Sequence, residues 1–212
     1  MKFEQAGALA LIVGALGGIA VMALHPAGIS VHGGGTVHGL DLNLIVHALA
    51  IGLAPVLTFG FVAVTRSLGF DRPLPVLALV FYAFGAIAVV LAASMSGLVA
   101  PHLIEAYKGA SGSEKDMIHQ LLHLEFGLNQ AFAKVHVAMF SAAILLFALA
   151  WSRQGLFGAV IRLAGVLVGT GIFAWLVSGT LTLNVHGMGA VVLVQSIWTI
   201  LAAIGLLGRK AD

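Results

Sequence analysis

Residues 119–136, HQLLHLEFGLNQAFAKVH, carry three histidines, Glu125, Asn129, Gln130 and Lys134, then run straight into the apolar segment 137–151. Read as one helix, the stretch is the mouth of a membrane span; broken at Gly127, it is a surface helix followed by a separate span. Ionisable side chains at such a mouth are expensive in a bilayer and mark functional sites. Ser113 followed by Asp116 resembles a helix start, and Met117, Leu121, Leu124 and Leu128 form an apolar stripe. The pattern predicts an amphipathic interfacial helix over 113–126, with a span beginning at 129.

The composition around this stretch sets the class. Of 212 residues, 60% are hydrophobic and 8% charged, with mean hydropathy +1.09, far outside the range of a soluble domain. Net charge +2 is small and divided between two sides, which argues against nucleic acid as a partner. With no cysteine there is no disulfide, thiolate ligand, iron–sulfur cluster or thioether-linked haem. Any metal ligand must be His, Met, carboxylate or carbonyl.

About 20 apolar residues cross the hydrocarbon core, and six segments qualify, at 6–24, 41–65, 74–100, 129–152, 158–180 and 186–207. The expected fold is an all-α integral membrane protein, a single domain over 1–212 with six transmembrane helices plus the short interfacial helix on the outer side. The first segment is read as a span and not as a signal peptide, because Lys2 is offset by Glu4 and no A-x-A site follows before His25. Seven cations, Lys2, Arg66, Arg72, Arg153, Arg162, Arg209 and Lys210, share one side, against Lys108, Lys115 and Lys134 on the other. The excess of positive charge predicts cytoplasmic termini in a bacterial-type inner membrane. All nine histidines fall on the outer side or in the outer half of a span.

Several finer features follow. The loop HPAGISVHGGGTVHG has no helical or strand period and reads as an irregular lid. A second outer loop is expected from Pro101 to Gly127. Pro55 is expected to kink span two, and Gly14-x3-Gly18 and Gly165-x3-Gly169 are spacings that let helices pack closely.

The candidate site residues come from helical geometry. His119 and His123, at i and i+4, share a face and can grip one ion, with Asp116 one turn earlier as a third ligand or an orienting partner. His136 lies thirteen residues beyond His123, about 140° away on an unbroken helix, so the three converge only if the chain breaks near Gly127. On a straight helix Glu125, Asn129 and His136 instead form a polar stripe. His47 and His136 then lie at one depth, roughly 10 Å below the outer boundary. That placement suits a bis-imidazole haem b, a copper or other metal centre, or a proton relay. Glu125 and Asp41 are the candidate proton acceptors or catalytic groups. Met22 with His25, and His186 with Met188, are imidazole and thioether pairs of the kind that suits Cu(I). Gln195 in span six is an amide with little structural reason to be buried.

The spacing His119-x3-His123-x12-His136 is similar to the Asp-x3-His-x12-His copper ligands of the membrane C subunit of particulate methane monooxygenase. It has His119 in place of the Asp, lacks the acidic residues that follow in that family, and covers eighteen residues, too few to assign one. The paired-histidine motifs of membrane di-iron hydroxylases are absent.

The leading expectation is a membrane redox or metal-centre protein with haem b or copper, zinc less favoured, exchanging electrons with quinol or a periplasmic partner. Such a protein can act alone or as a homo- or hetero-oligomer. The alternatives are Cu/Zn acquisition or transport, and a structural or assembly subunit of a membrane complex. A hydrolytic enzyme has the least support, since no nucleophile, base and acid can be assembled from the spacing, although three imidazoles with an open position would suffice for a histidine-liganded zinc hydrolase.

Overall fold

A computed structural model of the chain describes residues 1–26, 37–151 and 155–208, the side chains of 37–41 excepted. Among the described residues every regular element is helical. The elements are α1 (Phe3–Leu24), α2 (Val37–Leu68), α3 (Pro73–Ser94), a π-helical turn (Met95–Val99), α4 (Ala100–Gly109), α5 (Gly112–Ala150), α6 (Gly155–Val177) and α7 (Val185–Gly208). Six of the helical segments are long and apolar enough to cross a membrane, α3, the π-turn and α4 counting together as one. Of the expected lid loop 25–39, residues 27–36 lie outside the described residues, and 37–39 already belong to α2 rather than to an irregular loop.

The six long helices close into a ring in which α1 touches α2, α2 touches α3, α3 touches α5, α5 touches α6, α6 touches α7 and α7 returns to α1. Large apolar side chains face outward as well as inward, and polar ones share the interior. Phe84, Leu163 and Leu167 are 62% exposed, whereas Ser141, Gln195, Ser196 and Thr199 are buried with Ala and Gly. Helices in lipid gain little by hiding Leu from hydrocarbon and associate through small residues and interhelical hydrogen bonds instead.

Gly165 and Gly169 show that arrangement. A Cβ on Gly165 would run into Trp198 and Ala148, and one on Gly169 would lie 2.7 Å from the Ser141 carbonyl oxygen and 2.8 Å from Leu145 Cβ. Gly171, on the same helix, has open space where a Cβ would stand. Gly169→Ala is therefore expected to cost about 1–3 kcal/mol, the range for overpacking a tight contact, while Gly171→Ala is expected to stabilise by up to about 1 kcal/mol. Thermal unfolding of the two variants in detergent checks the contrast.

Two expected features are corrected. There is no separate interfacial helix over 113–126: α5 runs unbroken through Gly127 from Gly112 to Ala150. A single glycine costs a helix only about 1 kcal/mol relative to Ala, and helix formers flank it on both sides. The second outer loop is also largely helix, because the chain continues past Pro101 into α4. Pro101 lacks the N–H and sterically opposes the carbonyl four residues back, and it falls within the first two positions of α4. The π-turn before it widens the backbone, with the Ala100 N–H reaching back to the Met95 carbonyl. Gly127 has nothing within 4 Å of where a Cβ would stand, so Gly127→Ala is expected to leave fold and ligand binding intact and to stabilise α5 by up to about 1 kcal/mol. A loss of ligand binding in that variant, measured beside wild type, would show that a hinge is needed there.

At the arginine-rich end, Arg66 lies 3.8 Å from Glu4 and 4.8 Å over the Phe3 ring, clasping α1 to α2. The middle of the bundle is closed by aromatic packing. Phe61 lies 4.3 Å from Tyr82, 5.4 Å from Phe147 and 5.6 Å from Phe140 between ring centres. Trp198 is fully buried and donates its indole N–H to the Ile161 carbonyl at 3.1 Å, tying α7 to α6.

Candidate functional site: a histidine-lined cavity

Above the aromatic floor the ring of helices does not fill its centre. A cavity of about 810 Å³ remains, lined by α1, α2, α3, the π-turn, α4, α5 and α7, within the roughly 300–1,000 Å³ that holds small molecules and cofactors. Among the described residues six histidines line it: His25, His47, His119, His123, His136 and His186. They arrive from α1's end, α2, α5 and α7's start because each of these helix ends meets the same end of the bundle. His102 is exposed on α4 and does not line the cavity. His32, His38 and Asp41 lie outside the described side chains.

The histidines differ in what holds them. His47, 8% exposed, makes a 2.7 Å hydrogen bond through Nδ1 to the Asn43 carbonyl one turn earlier. His136 makes one of 2.9 Å through Nδ1 to the Gly85 carbonyl on α3. His25 makes one of 3.1 Å to the Pro26 carbonyl. A carbonyl only accepts, so in each case Nδ1 carries the proton and a neutral ring keeps its lone pair on Nε2. This is the arrangement in which a backbone carbonyl orients an imidazole for a metal ion. Between α1 and α2, His25 Nε2 and His47 Nε2 lie 3.4 Å apart with the rings nearly edge to face.

His47 is also fixed from below. A Cβ on Gly97, in the π-turn, would collide with the Cβ of His47, so only glycine lets the turn lie against this ring. Asn43 donates to the Ser96 carbonyl at 2.7 Å, satisfying an acceptor in the π-turn. Irregular turns of this kind recur at functional sites. Here the turn and the imidazole are locked through one asparagine.

The α5 residues divide as the unbroken helix requires. His119 and His123 stack edge to face at 4.5 Å between ring centres, both exposed at the cavity's mouth, with Tyr107 of α4 6.3 Å from His119. Asp116 is exposed and does not line the cavity. Deeper in, Glu125, Asn129 and His136 all line it. Asn129 donates to the Ala92 carbonyl at 2.9 Å, and Glu125 is 8% exposed with Oε1 lacking a hydrogen-bond partner among the described residues. An unpaired buried acceptor costs about 1–3 kcal/mol. Gln195, 1% exposed, also lines the cavity and donates to Ser141 Oγ at 3.2 Å.

Among the described residues no group of three or more His, Cys, Asp or Glu side chains gathers as a metal cage. The break at Gly127 on which convergence of His119, His123 and His136 depended is not there, since α5 is continuous. Sequence reasoning also missed the approach of His25 to His47. The available signal was that spans one and two are consecutive and antiparallel, so the last residue of one and the first turns of the next share an end. No protein-family model, curated protein or solved structure matches the chain.

Proposed function

We propose that the chain is a redox protein of a bacterial-type inner membrane, with cytoplasmic termini, that keeps a histidine-bound metal centre in the outer half of the bundle. The observation that carries this reading is that three imidazoles from three helices, His25, His47 and His136, each tie Nδ1 to a backbone carbonyl and line one cavity. Copper suits imidazole with nearby thioether, and Met22 and Met188 line the same cavity. Haem b on His47 and His136 fits less well, because His25 Nε2 stands 3.4 Å from His47 Nε2, in the space that a porphyrin ring held by that nitrogen would need. The remaining volume accommodates the head of an apolar donor such as quinol, and Glu125 is placed to accept its proton. Asn129 and Gln195 supply hydrogen bonds for orientation.

A conduit for Cu or Zn is less well supported. The cavity ends on Tyr82 and Phe140, and beneath them Phe61, Phe147 and Trp198 belong to one continuous apolar cluster. The test is spectroscopic: purified protein is titrated anaerobically with a short-chain quinol. The expected result is bleaching or growth of a metal-centred band that His47→Ala abolishes. A metal-loaded protein whose spectrum is unmoved by quinol and by dithionite would remove the redox role.

A further inference from the structure

The facing nitrogens of His25 and His47 pose a chemical problem that points to a ligand. Both Nδ1 atoms donate to carbonyl oxygens, so a neutral pair would turn two lone pairs toward each other across 3.4 Å. A direct N–H···N bond would require one ring to be an imidazolium, and the separation is longer than the roughly 2.7–3.2 Å of a well-formed hydrogen bond. A tetrahedral ion bound to two imidazoles at about 2.0–2.1 Å sets their nitrogens about 3.3–3.4 Å apart.

We infer that His25 and His47 are the two protein ligands of a tetrahedral Cu(I) ion bound between the end of α1 and the outer part of α2. The assignment deepens the metal-centre reading and rests on it, but differs in its ligands: the pair joins neighbouring helices and leaves His136 out. The rings are pre-set. Their Nδ1 carbonyl partners fix which nitrogen faces the ion, and Gly97 packs directly beneath His47. Both residues line the cavity, so the other two coordination positions are open to water or to an added donor, as in sites where a metal acts on a substrate. The ion also resolves the lone-pair conflict.

The test uses full-length protein in detergent, stripped with a chelator and titrated separately with Co²⁺, Zn²⁺ and Cu(I). Co²⁺ is expected to bind at one ion per chain with the intense visible bands of a tetrahedral site and to be displaced by Zn²⁺. His25→Gln and His47→Gln are each expected to weaken binding by more than about 100-fold, beyond the effect of losing a ligand's hydrogen-bond partner, whereas His102→Gln, exposed on α4 and outside the cavity, binds as wild type. Melting curves establish that the variants fold. X-ray absorption on Zn²⁺-loaded wild type, which needs no variant, should show two imidazoles. Loss of binding with His136→Gln but not His25→Gln, or a count of three or four imidazoles, overturns the pair while leaving a metal centre in the cavity. Failure of wild type to bind any of the three ions overturns both.

Discussion

Phe61→Ala is expected to destabilise the bundle by about 3–5 kcal/mol, the range for removing a buried aromatic ring. Phe61 is fully buried and meets Tyr82, Phe140 and Phe147 at once, and each such aromatic pair adds about 0.5–1.5 kcal/mol beyond the area it covers. The side chain contributes at the level of packing, but its removal also bears on function. Tyr82 and Phe140 line the cavity, so removing the ring behind them frees the cavity floor to shift. Unfolding in detergent gives the stability change, and a loss below about 1 kcal/mol would mean that the floor is not built as described. Trp198, on the far side of the same cluster, offers an internal comparison through its hydrogen bond to the Ile161 carbonyl.

Gly97→Ala is expected to weaken metal binding by about 10–100-fold without removing a ligand, the effect of losing the support of a coordinating ring. The new methyl group would overlap His47 Cβ and stand 2.9 Å from Cγ, so the helix must shift or the ring must leave its bond to the Asn43 carbonyl. Relief by rotation of a distant chain end is not available, since Cβ is attached to the backbone. Isothermal titration with Zn²⁺ reads the affinity, and Gly127→Ala on open space serves as the matched glycine control. Equal affinity in Gly97→Ala and wild type would detach the π-turn from the site.

The six long helices were legible because each apolar run exceeds the thickness of a bilayer core and is bounded by charge, glycine or proline. Their ends were not. Pro101 reads as a stop, yet the π-turn at Met95–Val99 absorbs it, and Asn43, more than fifty positions earlier in the chain, takes the Ser96 carbonyl. A local pattern cannot show a hydrogen bond supplied by another helix. Gly127 reads as a hinge on composition, but one glycine among good helix formers is too small a cost to break a helix held on α3 and α6. The polar stripe of Glu125, Asn129 and His136 follows from helical periodicity alone, and all three residues line the cavity. His25 was visible only as the last residue of a span; its approach to His47 depends on how α1 and α2 pack, with Gly14 against Leu57 and Gly17 against Leu53. Close contacts between helices are properties of pairs of surfaces, and no single periodicity contains them.

The most direct measurement is the metal and haem content of the full-length protein, purified without chelator and assayed by elemental analysis alongside its visible spectrum. The expected result is about one copper ion per chain, bound tightly enough to survive purification or restored by reloading, and lost in His47→Ala. Protein that holds neither metal nor haem as isolated, and takes up none when offered, would contradict it.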